Sequence, residues 1–198
     1  LFLPARLGDN PFLRKADAGY EKRLKLLSPT DRKALLDGVW ELNEGQYFSE
    51  FSRDLHVVKP YAIPHDWRRC LTIDYGLDML AALWIAQSPD GHSVVYRELY
   101  RPGLIISDAA AQILACETAG EHIDCRLAPP DLWNRRQETG RSAVELFADS
   151  GLDFVKSSNE RVAGWLALHE LLMPRKDTDG AVRPRLTIFD TCRNLIRT

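Results

Sequence analysis

The 198 residues suit one domain of ordinary size plus an appendage. Hydrophobic residues make up 45% of the chain, enough for a sizeable core and too many for a disordered protein. The 26 Lys and Arg nearly cancel the 28 Asp and Glu, leaving a formal charge of -2. That balance excludes a protein that coats nucleic acid through a uniformly basic surface, so any such contact must be local. The opening LFLPARLGDNPFL lacks the basic-then-apolar pattern of a signal, and no apolar run reaches about 18 residues, so a soluble, cytoplasmic protein is expected. Cys70, Cys116, Cys125 and Cys192 show no CxxC pair and no His at zinc-ligand spacing; they read as reduced thiols without structural zinc. The first residue is Leu, inside what reads as a strand, which suggests a fragment.

The chain divides into residues 1–55 and 56–198. In the first part Tyr20, Leu24 and Leu27 stand at helical spacing over residues 15–27, and Ser28-Pro29-Thr30-Asp31 marks a fresh helix start with Pro at its first position. Pro60 and Pro64 make residues 56–66 an extended linker. Residues 70–75 (CLTIDY) read as a buried strand ending in an acid, and residues 80–87 (LAALWIAQ) as a second. Ser88-Pro89-Asp90-Gly91 fits a type I turn, making 93–99 (SVVYREL) the hairpin partner.

Ser107 should cap a helix over 108–119, stopped by Gly120. A strand over 122–127 follows, then the loop Ala128-Pro129-Pro130-Asp131, a helix over 142–150 closed by Gly151 and a strand over 152–156. An amphipathic helix is expected over 159–172, ended by Pro174, then a strand over 185–189 (RLTIF) and the start of a last helix. Three antiparallel strands followed by alternating helices and strands make the expected class α/β, ribonuclease H-like, with a mixed central sheet flanked by helices.

Asp74 is the sharpest chemical feature. A carboxylate closing an apolar strand is costly unless a metal or hydrogen bonds compensate it, and strand ends gather ligand sites in open α/β sheets. It could equally be a turn-former before Tyr75-Gly76. Asp131 follows the strand that this topology sets beside the first. Two carboxylates so placed repel each other unless a cation lies between them, and hard oxygen donors favour Mg²⁺ or Mn²⁺. Two such ions ~4 Å apart can activate water and stabilise the leaving oxygen of a phosphodiester. Asp131 also suits a helix cap in Pro-Pro-Asp-Leu-Trp. Asp124 is a rival, expected on the solvent face. Arg135, Arg136, Lys156 and Arg161 flank these acids and could hold phosphates, although each singly suits a solvated surface.

The five His residues lack ligand spacing and read as structural. No GxxxxGK[ST] loop occurs, so this chain has no Walker-type ATP site. Ile73-Asp74-Tyr75-Gly76 resembles the first phosphate motif of actin-like and sugar-kinase folds, but Leu77 stands where those need Thr or Ser.

Several blocks resemble a known family. Trp67-Arg68-Arg69 through Gly76, then ALWIAQSPDGHSVVYRELY, is similar to the start of the nuclease domain of phage and prophage terminase large subunits. APPDLWNRRQETGRSAVELF, LDFVKSSNERVAGW and RLTIFDTCRNLIRT resemble the successive downstream blocks, and DNPFL, Tyr20 and LLDGVWELNEGQYFSEF the end of the preceding ATPase domain. The resemblance implies a ribonuclease H-like, two-metal endonuclease that cuts concatemeric viral DNA, with duplex DNA, a portal protein and a small terminase subunit as partners in the host cytoplasm. It places the first catalytic and metal-binding acid on Asp74 and the second on Asp131. The family's third acid belongs to a helix beyond CRNLIRT, so the site is expected to be incomplete here; Asp190 corresponds to the preceding strand end. Asp78 is the next candidate ligand should another residue complete the site. Competing readings are a resolvase- or transposase-type nuclease and a docking module with weak or no cutting.

Overall fold

The computed structural model describes residues 48–76, 78–176 and 180–197. The helix expected over 15–27 and the helix start at Ser28–Asp31 lie outside them. The chain forms two compact units, Leu1–Ser49 and Glu50–Thr198, and the second is described below.

Helix α1 (Arg53–His56) leads into strand β1 (Val57–Val58). Strands β2 (Arg68–Tyr75), β3 (Met79–Gln87) and β4 (Ser93–Pro102) form an antiparallel meander. Their sequences alternate as half-buried strands should. Leu71, Ile73 and Tyr75 of β2 are buried with Leu80, Ala82, Trp84 and Ala86 of β3, while Cys70, Thr72 and Asp74 occupy the opposite face. The β3–β4 turn is the expected one: Gly91 donates to the Ser88 carbonyl at 3.0 Å, and its φ of 89° suits glycine.

Register shifts between Trp84, paired with Arg97, and Ile85, paired with Val95, leaving Tyr96 as the extra residue of a bulge. Tyr96 and Arg97 thereby both reach Glu121, at 2.7 and 2.9 Å.

Helix α2 (Ile106–Cys116) buries Ile106, Ala109, Ala110 and Ile113, an i, i+3, i+4, i+7 stripe. It begins earlier than its sequence suggests: Ile105 is the N-cap residue and Ser107 lies inside the helix. It also ends four residues before Gly120, which instead serves the following turn. Strand β5 (Cys125–Ala128) then lies parallel to β2, a pairing that needs such a crossover.

A 3₁₀ turn (Pro130–Trp133) precedes helix α3 (Ala143–Asp149). Ser142 and Glu145 build a capping box on α3, and Gly151 closes it at φ 86°. Strand β6 is confined to Val155–Lys156, parallel to β5. Phe147 of α3 is fully buried and meets the rings of Tyr75 and Phe154 edge-on, each at 5.4 Å.

Helix α4 (Arg161–Leu172) is not amphipathic as expected. Apolar residues are scattered round it rather than gathered in a stripe, so Val162 and Leu166 stay exposed and Leu172 alone is buried among its residues. The short pair β7 (Arg175–Lys176) and β8 (Val182–Arg183) precedes β9 (Leu186–Phe189) and helix α5 (Arg193–Arg197). Glu98 on β4 accepts from the Asn194 and Leu195 amides at 2.8 and 2.9 Å, tying down the start of α5.

The main sheet runs β1-β9-β4-β3-β2-β5-β6, antiparallel through the meander and parallel on both flanks. Its β4-β3-β2-β5-β6 portion is the ribonuclease H-like arrangement. Two further expectations need correction. Val57–Val58 belongs to the sheet rather than to a linker, because β1 completes the edge of β9 and His56 is buried with a ring nitrogen 2.8 Å from the Leu172 carbonyl. Cys70 and Cys125 are not reduced thiols: they are register partners on β2 and β5, their Cα atoms 4.8 Å apart, and form a disulfide. Cys116 and Cys192 are free.

Candidate active site

The two candidate acids leave the sheet at the same end. Asp74 is two residues beyond Thr72 and Asp131 four beyond Leu127, and Thr72 pairs with Leu127 across the parallel β2–β5 ladder. Asp74 is exposed on the face shared with its β3 partner Ala81. On the other face Tyr75 fixes the strand end, donating its hydroxyl to the Leu104 carbonyl at 2.9 Å. Asp131 is carried by the 3₁₀ turn, whose start is set by Pro130 and whose position is fixed by the buried Leu132. It too is exposed. Neither carboxylate has a hydrogen bond or ion pair among the described residues.

The other acids differ. Asp124 accepts the Arg69 amide at 2.7 Å, at the opposite end of the β2–β5 pair, and that hydrogen bond holds its carboxyl below the usual range. Asp190 pairs with Lys59 at 2.6 Å. Asp78 is exposed in the β2–β3 turn, without a partner among the described residues. Among those residues no three His, Cys, Asp or Glu gather into a metal-binding group, which leaves two hard carboxylates, Asp74 and Asp131, as the candidate donors. That suits one oxygen-loving divalent ion that keeps several waters.

The four candidate cations are not equivalent. Arg136 lines a cavity of about 380 Å³ with Tyr75, Ile105, Ser107 and Asp149, beside the end of β2. Burial raises the Tyr75 pKa and the Arg136 charge partly opposes it. Lys156 closes β6 level with Ala128, and its ammonium lies 5.2 Å from the centre of the Trp133 ring. Arg135 lies 3.7 Å from Glu145 and so is partly neutralised. Arg161 opens α4, exposed and unpaired among the described residues. Nothing in the sequence singles out Trp133; two residues after Asp131 it reads as an ordinary apolar anchor, and its cation comes from a strand 23 residues on.

Neither a protein-family model nor a curated protein sequence matches the chain. Solved structures do. The nuclease domain of the phage P22 large terminase superposes with a TM-score of 0.59 at 16% identity, over 78% of this chain and 77% of that one. This chain has the fold of a large-terminase nuclease domain. A large terminase from a thermophilic bacteriophage, in complex with ADP, matches with a TM-score of 0.60 at 15% identity over 97% of this chain. Only 45% of that ADP-bound protein is spanned, so it is about twice as long as this chain. The large terminase nuclease of thermophilic phage G20c with bound magnesium is looser, at a TM-score of 0.47 and 15% identity over 76% of each chain.

Proposed function

We propose that this chain is the metal-dependent DNA endonuclease part of a terminase large subunit, hydrolysing phosphodiester bonds of concatemeric viral DNA during genome packaging. The observation that carries the reading is the pair of carboxylates Asp74 and Asp131, unpaired among the described residues, at one end of the β2–β5 pair in a large-terminase nuclease fold. Asp74 and Asp131 are the catalytic acids and metal ligands, and Mg²⁺ or Mn²⁺ is the ion they suit; a complete two-ion site requires further donors.

When bound, such an ion supplies Lewis-acid polarisation of the phosphate and a lowered pKa for the attacking water. The protein's own residues bind and orient the DNA. Arg136 and Lys156 border the acids and hold phosphates of the duplex, and Arg135 and Arg161 extend the cationic margin. These contacts reach backbone rather than base edges, so cutting is weakly sequence-dependent. The portal protein and the small terminase subunit are the protein partners of this reading, and the host cytoplasm is its setting. No helix among the described residues is long and apolar enough to cross a membrane.

The test is conversion of supercoiled plasmid to nicked and linear forms with Mn²⁺ or Mg²⁺. Cutting that stops in chelator and in Asp74→Asn supports the reading; cutting undiminished in chelator overturns it.

A further inference from the structure

Lys156 and Trp133 form a contact with a consequence for the acid between β5 and α3. The Lys156 ammonium lies 5.2 Å from the Trp133 ring centroid, within cation–π range. Both residues are pinned by their backbones near Asp131. Lys156 pairs with Ala128, and the next residue, Ser157, donates both its amide and its hydroxyl to the Ala128 carbonyl at 2.9 and 3.0 Å. Trp133 ends the 3₁₀ turn that carries Asp131, and the buried Leu132 holds that turn. Among the described residues no carboxylate pairs with Lys156. An exposed lysine ordinarily samples many rotamers, and ordering it on binding costs entropy. A ring beneath the ammonium restricts that freedom without neutralising the charge, as an Asp or Glu partner would.

We propose that Trp133 is a positioning residue, holding the Lys156 ammonium beside Asp131 so that it meets a phosphate next to the scissile one. This rests on the endonuclease reading above. Trp133 acts on DNA only through Lys156, and the two form a unit.

A double-mutant cycle on the full chain tests this, with duplex binding measured by anisotropy in chelator and plasmid cutting measured with Mn²⁺. Lys156→Ala should weaken duplex binding and lower the slope of log K against log salt by about one. Trp133→Leu should weaken binding about two- to fivefold, the range of an exposed cation–π contact, with KM raised and kcat nearly unchanged. Trp133→Phe, which keeps an aromatic face, should restore most of the loss. The double variant should bind no more weakly than Lys156→Ala alone. Additive losses, or Trp133→Leu binding like the wild type, would overturn the proposal while Asp74-dependent cutting stands. A wild-type chain that neither binds duplex nor cuts it would instead remove the endonuclease reading, and the proposal with it. A fall in thermal midpoint for Trp133→Leu that Trp133→Phe repairs without restoring KM would mark Trp133 as structural and also overturn it.

Discussion

The Arg97 guanidinium lies 2.9 Å from the Glu121 carboxylate, fastening the bulged stretch of β4 to the loop behind α2. Arg97 belongs to a row across the buried face of the sheet, Arg126, Leu71, Trp84 and Arg97 in register, and Arg126 meets Glu117 at 2.7 Å. Burial alone would raise the Glu121 pKa; the Thr118 amide, the Tyr96 hydroxyl and Arg97 outweigh it and bring it down to about 2. A carboxylate depressed on folding contributes stability above its unfolded pKa, and that contribution is lost as pH falls towards about 2. Glu121→Gln should therefore be less stable than the wild type at pH 7, by an amount on the order of 2 kcal/mol. Urea unfolding should show the gap narrowing from pH 5 downwards. A gap that stays constant to pH 2.5 would remove the ionic explanation.

The Cys70–Cys125 bond closes a long loop, since the two residues are 55 apart in sequence. By the chain-entropy argument its reduction should cost roughly 4 kcal/mol, less if the reduced unfolded chain keeps structure. Non-reducing peptide mapping should find this one bridge, and dithiothreitol should lower the unfolding midpoint. Cys192 is fully buried and its thiol is pushed up to about 11, chiefly by burial, so alkylation of the native protein should spare it. Half-buried Cys116 should react first. Four thiols titrating in the unfolded, unreduced protein would contradict the bridge.

The meander is legible in the sequence because each strand alternates and the Ser88–Gly91 turn has a composition with one local solution. The place of Asp74 at the end of β2 is legible for the same reason, as a charge closing an apolar run. What sequence periodicity does not supply is register between distant segments. The Cys70–Cys125 bridge, the Arg69 amide on Asp124 and the Lys156–Trp133 contact each depend on which residues of β2, β5 and β6 stand opposite one another. The apolar content of α4 suggests a stripe, but its apolar residues lie all round the helix. β1 is hidden by length: two residues between a one-turn helix and a Pro-rich stretch carry no period to detect.

The acids separate by their partners. Asp74→Asn and Asp131→Asn keep size and remove the charge a cation requires, so plasmid cutting should fall about 100-fold or more in each. Both residues are exposed and unpaired among the described residues, so thermal midpoints should stay within about 2 °C of wild type. Asp124→Asn should do the reverse, keeping activity while loosening the Arg69–Asp124 contact at the other end of the strands. If Asp124 proves essential and Asp131 dispensable, the second acid has been misplaced.

Metal affinity should follow from how little negative charge the site gathers. Two carboxylates hold one divalent ion loosely, because Mg²⁺ keeps most of its waters and accepts one or two protein ligands. The described residues supply no third donor at that point. Calorimetric titration with Mn²⁺ should therefore find at most one site, with a dissociation constant on the order of 10⁻⁴ M or weaker, lost in Asp74→Asn. Duplex DNA adds phosphate oxygens to the same place, so Mn²⁺ should bind more tightly in its presence and, by reciprocity, DNA more tightly with Mn²⁺. Salt should weaken the DNA arm steeply, since the cationic margin is local and the chain as a whole is near neutral. Two ions bound tightly without DNA would mean that another residue completes the donor set. Asp78, exposed in the turn that follows β2 and unpaired among the described residues, is then the side chain to replace with Asn, and loss of one of the two ions would place it in the site.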